Sequence, residues 1–179
     1  MFKKILLALI VLIALAVGGL FAINGTSNYD PSKYQLSVTP DAQPFGIGST
    51  IDFVLPDQFE TPKSLPEETK KLIFVFTKPT GHIFRSWMAF HEANDYLTTR
   101  KIVAVADVSA MPTVILNTFA MPDFRKSAYS ILLIYDKKMA ARLKKGQAVD
   151  NVIVMTLQNK KVIKIEQAAS VEEMNALLD

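Results

Sequence analysis

Apolar residues divide the chain into a continuous run, a polar interval and a patterned remainder. From Ile5 to Ile23 each residue is apolar or small (ILLALIVLIALAVGGLFAI), with Lys3 and Lys4 just ahead. These 19 residues, at ~1.5 Å each, make a helix about 28 Å long, close to the ~30 Å hydrocarbon core of a bilayer. A helix apolar on every side needs lipid or a much larger protein around it. The run therefore predicts a signal-anchor, a transmembrane helix over 1–23. The competing reading is a cleaved signal peptide. For that, Ala14-Leu-Ala16 lies early, and Leu20-Phe-Ala22 puts a large residue where the cleavage rule wants a small one. The positive-inside rule holds Lys3 and Lys4 in the cytoplasm. In an N-terminus of this bacterial style, the remainder is then expected in the periplasm, single-pass on the inner membrane or released there if the anchor is cleaved.

Residues 24–44 are polar, carry Pro40 and Pro44, and read as a linker. Asn24-Gly25-Thr26 matches a glycosylation acceptor, a signal of low specificity. The pattern turns globular at Phe45. Ile51-Asp-Phe-Val-Leu55 is a short strand closed by a Pro56-Asp57 turn, and Pro66-Glu-Glu starts a turn of helix. Residues 72–76 form a continuous apolar run, as in a strand buried on both faces; 102–106 reads as a second buried strand and Ser130-Ile-Leu-Leu-Ile-Tyr135 as a third. Thr77-Lys-Pro-Thr-Gly81 is a polar loop before a helix over 82–97, where Ile83, Phe84, Trp87, Met88 and Leu97 recur at helical spacing. A second helix starts at Pro112, carries Met111, Val114, Ile115 and Phe119 as a stripe, and stops at Pro122. Asp136 caps a basic helix over 137–145 that ends at Gly146. Residues 152–157 and 162–165 flank Gln158-Asn-Lys-Lys161 as a hairpin. Ser170-Val-Glu-Glu173 then opens a last helix as a capping box. Strands and helices alternate until this hairpin, which predicts an α/β fold with a mostly parallel central sheet over 45–179.

Composition narrows the chemistry. Half of the 179 residues are hydrophobic, enough for a core and too many for a disordered chain. There is no cysteine, so disulfides, thiolate metal sites and thiol-based redox catalysis are excluded. The net charge is +3; without Lys3 and Lys4, 18 Lys+Arg stand against 17 Asp+Glu. That balance gives no reason to expect nucleic acid as a partner.

A terminal hairpin and capped helix after βαβ units resembles the thioredoxin-like fold. Gly46-Ile-Gly-Ser-Thr-Ile-Asp-Phe-Val-Leu-Pro-Asp-Gln-Phe59 is similar to the opening of peroxiredoxin-type members, and 72–77 to the strand that delivers their active-site loop. The resemblance covers residues 45–179 and implies a three-layer sandwich with a C-terminal hairpin and helix. In that superfamily a redox cysteine opens the next helix. The matching stretch here is Thr77-Lys-Pro-Thr-Gly-His82, with Thr80 or Gly81 at the cysteine's place, so the resemblance implies a member without redox activity.

In an open α/β sheet, ligands sit beyond the carboxyl ends of the parallel strands. Those ends supply Thr77, Lys78, Thr80, Gly81, His82, Asp107 and Ser109 as candidate ligand-binding residues, with His82 able to act as acid or base near Asp107 and Lys78 adding charge for an anion. No Walker A, dinucleotide or G-x-S-x-G pattern occurs, and no residue is marked as catalytic. His82 and His91 lie nine residues apart, on opposite sides of a helix, so a shared metal is not expected. Lys137, Lys138, Arg142, Lys144 and Lys145 form a basic cluster that suits anionic headgroups or an acidic partner. The stretch 111–124 is apolar on more than one face and either covers the sheet, lines a cleft or meets a partner. These features point to a membrane-anchored binding or accessory module without a cofactor, whose partner is a protein in or at the membrane. The alternative class is a small flavin-linked oxidoreductase component, for which no residue pattern marks a flavin site.

Overall fold

In the computed structural model, residues 2–41, 44–91 and 95–178 are described. The leading run is a helix, α1 (Phe2–Asn24), and by length and composition its segment Ile5–Ile23 is able to cross a membrane. Among the described residues, none of that segment is buried inside the protein. Asp30 then caps one 3-10 turn, Pro31–Lys33. Gln35–Thr39 is a strand, β1, paired antiparallel with β2 (Thr50–Pro56) from Gln35 opposite Val54 to Thr39 opposite Thr50. The expectation of a plain linker over 24–44 is corrected here. Its inward positions are only Leu36 and Val38, too short an alternation to stand out before Pro40, and Ala42 and Gln43 lie outside the described residues. A three-residue strand, β3 (Pro62–Ser64), borders β2, and 66–69 is a turn without helix, closed by the Thr69 hydroxyl donating to the Pro66 carbonyl at 2.8 Å.

The first buried run is β4 (Lys71–Val75), followed directly by α2 (Lys78–Ala89). The loop expected at 77–81 is thus the helix's first turn, because Thr77 caps it and Pro79 sits where its missing N–H costs nothing. The helix expected to reach residue 97 ends at Ala89; Glu92, Ala93 and Asn94 lie outside the described residues, and Leu97 belongs to a separate turn, α3 (Tyr96–Thr99). After β5 (Ile102–Asp107) the chain runs through α4 (Thr113–Ile115), a π segment (Leu116–Ala120) and α5 (Met121–Arg125). Pro122 does not stop this helix. The turn before it widens, so that the Met121 N–H reaches back five residues to the Leu116 carbonyl, which relieves the clash a helical proline makes four residues back.

The chain closes with β6 (Leu132–Ile134), α6 (Lys137–Lys144), the hairpin β7 (Val152–Gln158) and β8 (Lys161–Ala168), and α7 (Val171–Leu178). The local signals act here as expected. The Asp136 carboxylate accepts the Lys138 and Met139 N–H groups at 2.7 and 2.8 Å, and Gly146 ends α6 at φ +83°. Asn159 and Lys160 both take positive φ, the conformation a two-residue hairpin turn requires.

The strands lie in the order β1-β2-β8-β7-β4-β5-β6. Only β4–β5 and β5–β6 are parallel; β4–β7, β7–β8 and the β2 pairings are antiparallel. The sheet is therefore mixed rather than mostly parallel, since only the connections through α2 and through 113–125 return the chain in the same direction. Two parallel strands joined by a crossover helix, then an antiparallel hairpin and a closing helix, make the thioredoxin-like arrangement that the resemblance implied. Along β4 the side chains alternate between two cores. Ile73 and Val75 meet Phe84, Trp87, Leu116 and Met174 on the helical face, while Leu72 and Phe74 meet Ile51, Phe53, Leu55 and Leu143 on the other. The second face is covered mainly by β2 itself. That strand touches β8 at Thr50–Lys161 and the far edge at Asp57–Leu132. Seven steps of ~3.3 Å give about 23 Å, enough to cross five strands spaced ~4.8 Å apart.

Candidate functional site

At the carboxyl ends of β4 and β5 a cleft of about 540 Å³ opens between the first turn of α2 and the 113–125 segment. Its floor is apolar, with Val75, Phe76, Phe84 and Ile131; its outer wall carries Met111, Ile115, Phe119 and Phe124. Lys78 and Arg85 give the rim a cationic side, with His82 beside them. Arg85 meets Asp123 of the opposite wall at 3.8 Å, an exposed pair of small energetic weight.

Thr77, Lys78, Gly81, His82 and Asp107 all line this cleft, so the strand-end rule brings five of the seven candidate residues together. Thr80 lies beneath it, wholly buried. The Thr77 N–H donates to Thr80 Oγ1 at 3.0 Å, the Thr80 N–H to Thr77 Oγ1 at 3.4 Å, and the Thr80 hydroxyl to the Thr77 carbonyl at 2.9 Å. This reciprocal cap uses the hydroxyls internally, so Thr80, one of the two positions where the resemblance expects a cysteine, locks the helix start and presents no nucleophile to the cleft. It also leaves little for an anion, because Pro79 has no N–H and that of Thr80 is taken.

Asp107 is likewise committed. Its side chain is 1% exposed, forms an ion pair with Lys144 and accepts the Ser109 N–H at 2.8 Å. The acid–base pairing of His82 with Asp107 is not formed; His82 stands exposed at the rim, and Ser109 lies outside the lining. Among the described residues, no group of three His, Asp or Glu converges to hold a metal ion.

The basic cluster divides. Lys137, Lys138 and Lys145 are exposed, whereas Arg142 pairs with Asp41 and donates to the Val38 carbonyl at 3.0 Å. Lys144 turns to Asp107 with its ammonium 5.6 Å from the Phe76 ring centre. The residues that sequence reasoning did not assign to a site are the floor and wall aromatics, above all Phe84, Phe119 and Phe124. The one signal for the wall was the apolar character of 111–124 on more than one face.

No protein-family model matches the sequence, and no curated protein matches it significantly. Among solved structures, the chain is similar to the peroxidoxin BcpB from Mycobacterium tuberculosis, at 17% identity and TM-score 0.48 over 74% of this chain and 92% of that one. It is similar to the thioredoxin domain of a thiol-disulfide oxidoreductase from Bacteroides vulgatus, at 12% identity and TM-score 0.48 over 75% and 99%. StoA from Bacillus subtilis gives 15% identity and TM-score 0.46 over 72% and 96%. These neighbours are thioredoxin-like and peroxiredoxin-like structures, and the present chain has no cysteine.

Proposed function

We propose that this chain is a membrane-anchored binding module without redox activity, whose cleft receives a segment of a protein partner in or at the membrane. In this reading α1 holds the protein in the inner membrane, and Lys3 and Lys4 favour a periplasmic domain. The observation that carries it is the cleft itself. It has an apolar floor and a cationic rim at the sheet's strand ends, while the threonines at its base spend their hydroxyls on each other and Asp107 is neutralised by Lys144. Such a site is suited to holding an apolar side chain and poorly equipped to attack one.

The absence of native cysteine permits a direct test. A benzophenone attached at His82→Cys of the full-length chain, photolysed in its own membranes, is expected to cross-link one partner. Ala110→Trp, which fills the cleft from an exposed position, is expected to abolish the adduct. An adduct indifferent to Ala110→Trp, or one formed equally well from Phe90→Cys at the far end of α2, would overturn the reading.

A further inference from the structure

Just beyond α1 the chain is fastened to the domain. The Thr26 carbonyl accepts a hydrogen bond from Asn117 Nδ2 at 2.9 Å, and the Tyr29 ring stacks between those of Tyr34 and Tyr135, with centroids 5.2 and 4.9 Å away. One hollow of about 290 Å³ is lined jointly by Ile23, Tyr29, Tyr34, Asn117 and Tyr135, so the end of α1, the tyrosines and the π segment converge on one side of the molecule. Asn117 stands between Ile115 and Phe119, large apolar residues 44% and 59% exposed, four apart at the lip of the cleft. Thr26 is three residue steps from Ile23, so the apolar end of α1 is at most about 11 Å along the chain from the group that Asn117 holds.

We propose that the 113–125 segment is an interfacial membrane contact. Ile115 and Phe119 seat in the headgroup–acyl boundary, and the mouth of the cleft faces the bilayer. Lipid is the occupant because this face adjoins the end of a helix that itself demands lipid, and a helical stretch with apolar side chains on its outer face lies at such a depth. Tyr29 and Tyr34 fit the same level, where amphipathic rings are enriched. The inference rests on the reading of α1 as a membrane span. It sharpens the proposed function, since a cleft opening toward the bilayer meets partners that emerge from it.

Single cysteines in the full-length chain, reconstituted in phosphatidylcholine vesicles with brominated acyl chains, separate the two claims. A polarity-sensitive dye at Ile115→Cys or Phe119→Cys is expected to lose fluorescence to the brominated lipid, as does one at Leu12→Cys within α1, while Phe90→Cys keeps its signal. All four native side chains are exposed, so the substitutions leave the core untouched. Quenching at 12 with none at 115 and 119 overturns the inference and leaves the span standing. No quenching at 12 removes the span and this inference with it. Quenching at 90 equal to that at 119 overturns the assignment to one face.

Discussion

In the first turn of α2, four hydrogen bonds between Thr77 and Thr80 close the helix start, and Phe84, Trp87 and Met88 are at most 4% exposed. The wall across the cleft is built differently. Its helix widens into a π turn, and Ile115 and Phe119 point away from the core. One wall is tied down by local hydrogen bonds and burial, and the other keeps its place mainly through Val114, Leu116 and Met121. A site with one fixed and one yielding wall can adapt its width to what it holds. A π turn is a rare interruption of a helix that recurs at functional sites, and here it forms the lip of the cleft.

The largest test of this contrast is a pair of truncations. Phe84→Ala empties a fully packed position and is expected to cost about 3–5 kcal/mol in chemical denaturation of the detergent-solubilised chain. Phe119→Ala is expected to stay within about 0.5 kcal/mol, as for a surface substitution. Comparable losses from both would mean that the outer wall is ordinary core and would erase the difference between the walls.

An intermediate effect is expected beneath the cleft, where Asp107 ends β5. Lys144→Met leaves its buried carboxylate with the Ser109 N–H alone and is expected to cost about 2–3 kcal/mol. Adding Asp107→Asn removes the orphaned charge and is expected to recover most of that loss. A double-mutant cycle with no coupling would show that the pair does not join α6 to the strand end.

These charges also mark where sequence reading stops. Lys144 and Arg142 sit in a local run of five cations and look like a solvated face. Their partners, Asp107 and Asp41, are remote in sequence, and only tertiary packing brings them near. By contrast the cap at Asp136, the Asn159-Lys160 turn and the buried runs were legible, because each signal lies within a few residues of its effect. The direction of β7 was not, since VIVMTL reads the same in a parallel or an antiparallel buried strand. The strand-end rule found the cleft's base, whereas its apolar wall stayed ambiguous until Pro122 was seen to follow a widened turn instead of ending the helix.

The smallest expected effect concerns the tyrosine stack that joins the tether to the yielding wall, where the Tyr135 hydroxyl also donates to Met121 Sδ at 3.5 Å. Burial, with the Glu60 charge second, pushes Tyr135 up to about 12, and burial first of all also raises Tyr29 and Tyr34 above their ordinary 10.0. The folded state therefore favours the neutral phenols. Their contribution is fully present below pH 10, where unfolded tyrosines ionise, and is lost as the pH climbs from there toward about 12. A tyrosinate absorbance titration of the full chain is expected to show a late phase that Tyr135→Phe removes. Thermal stability of the native chain is expected to fall across the same window and to fall less steeply in that variant. A late phase that survives Tyr135→Phe would place the shifted phenols elsewhere.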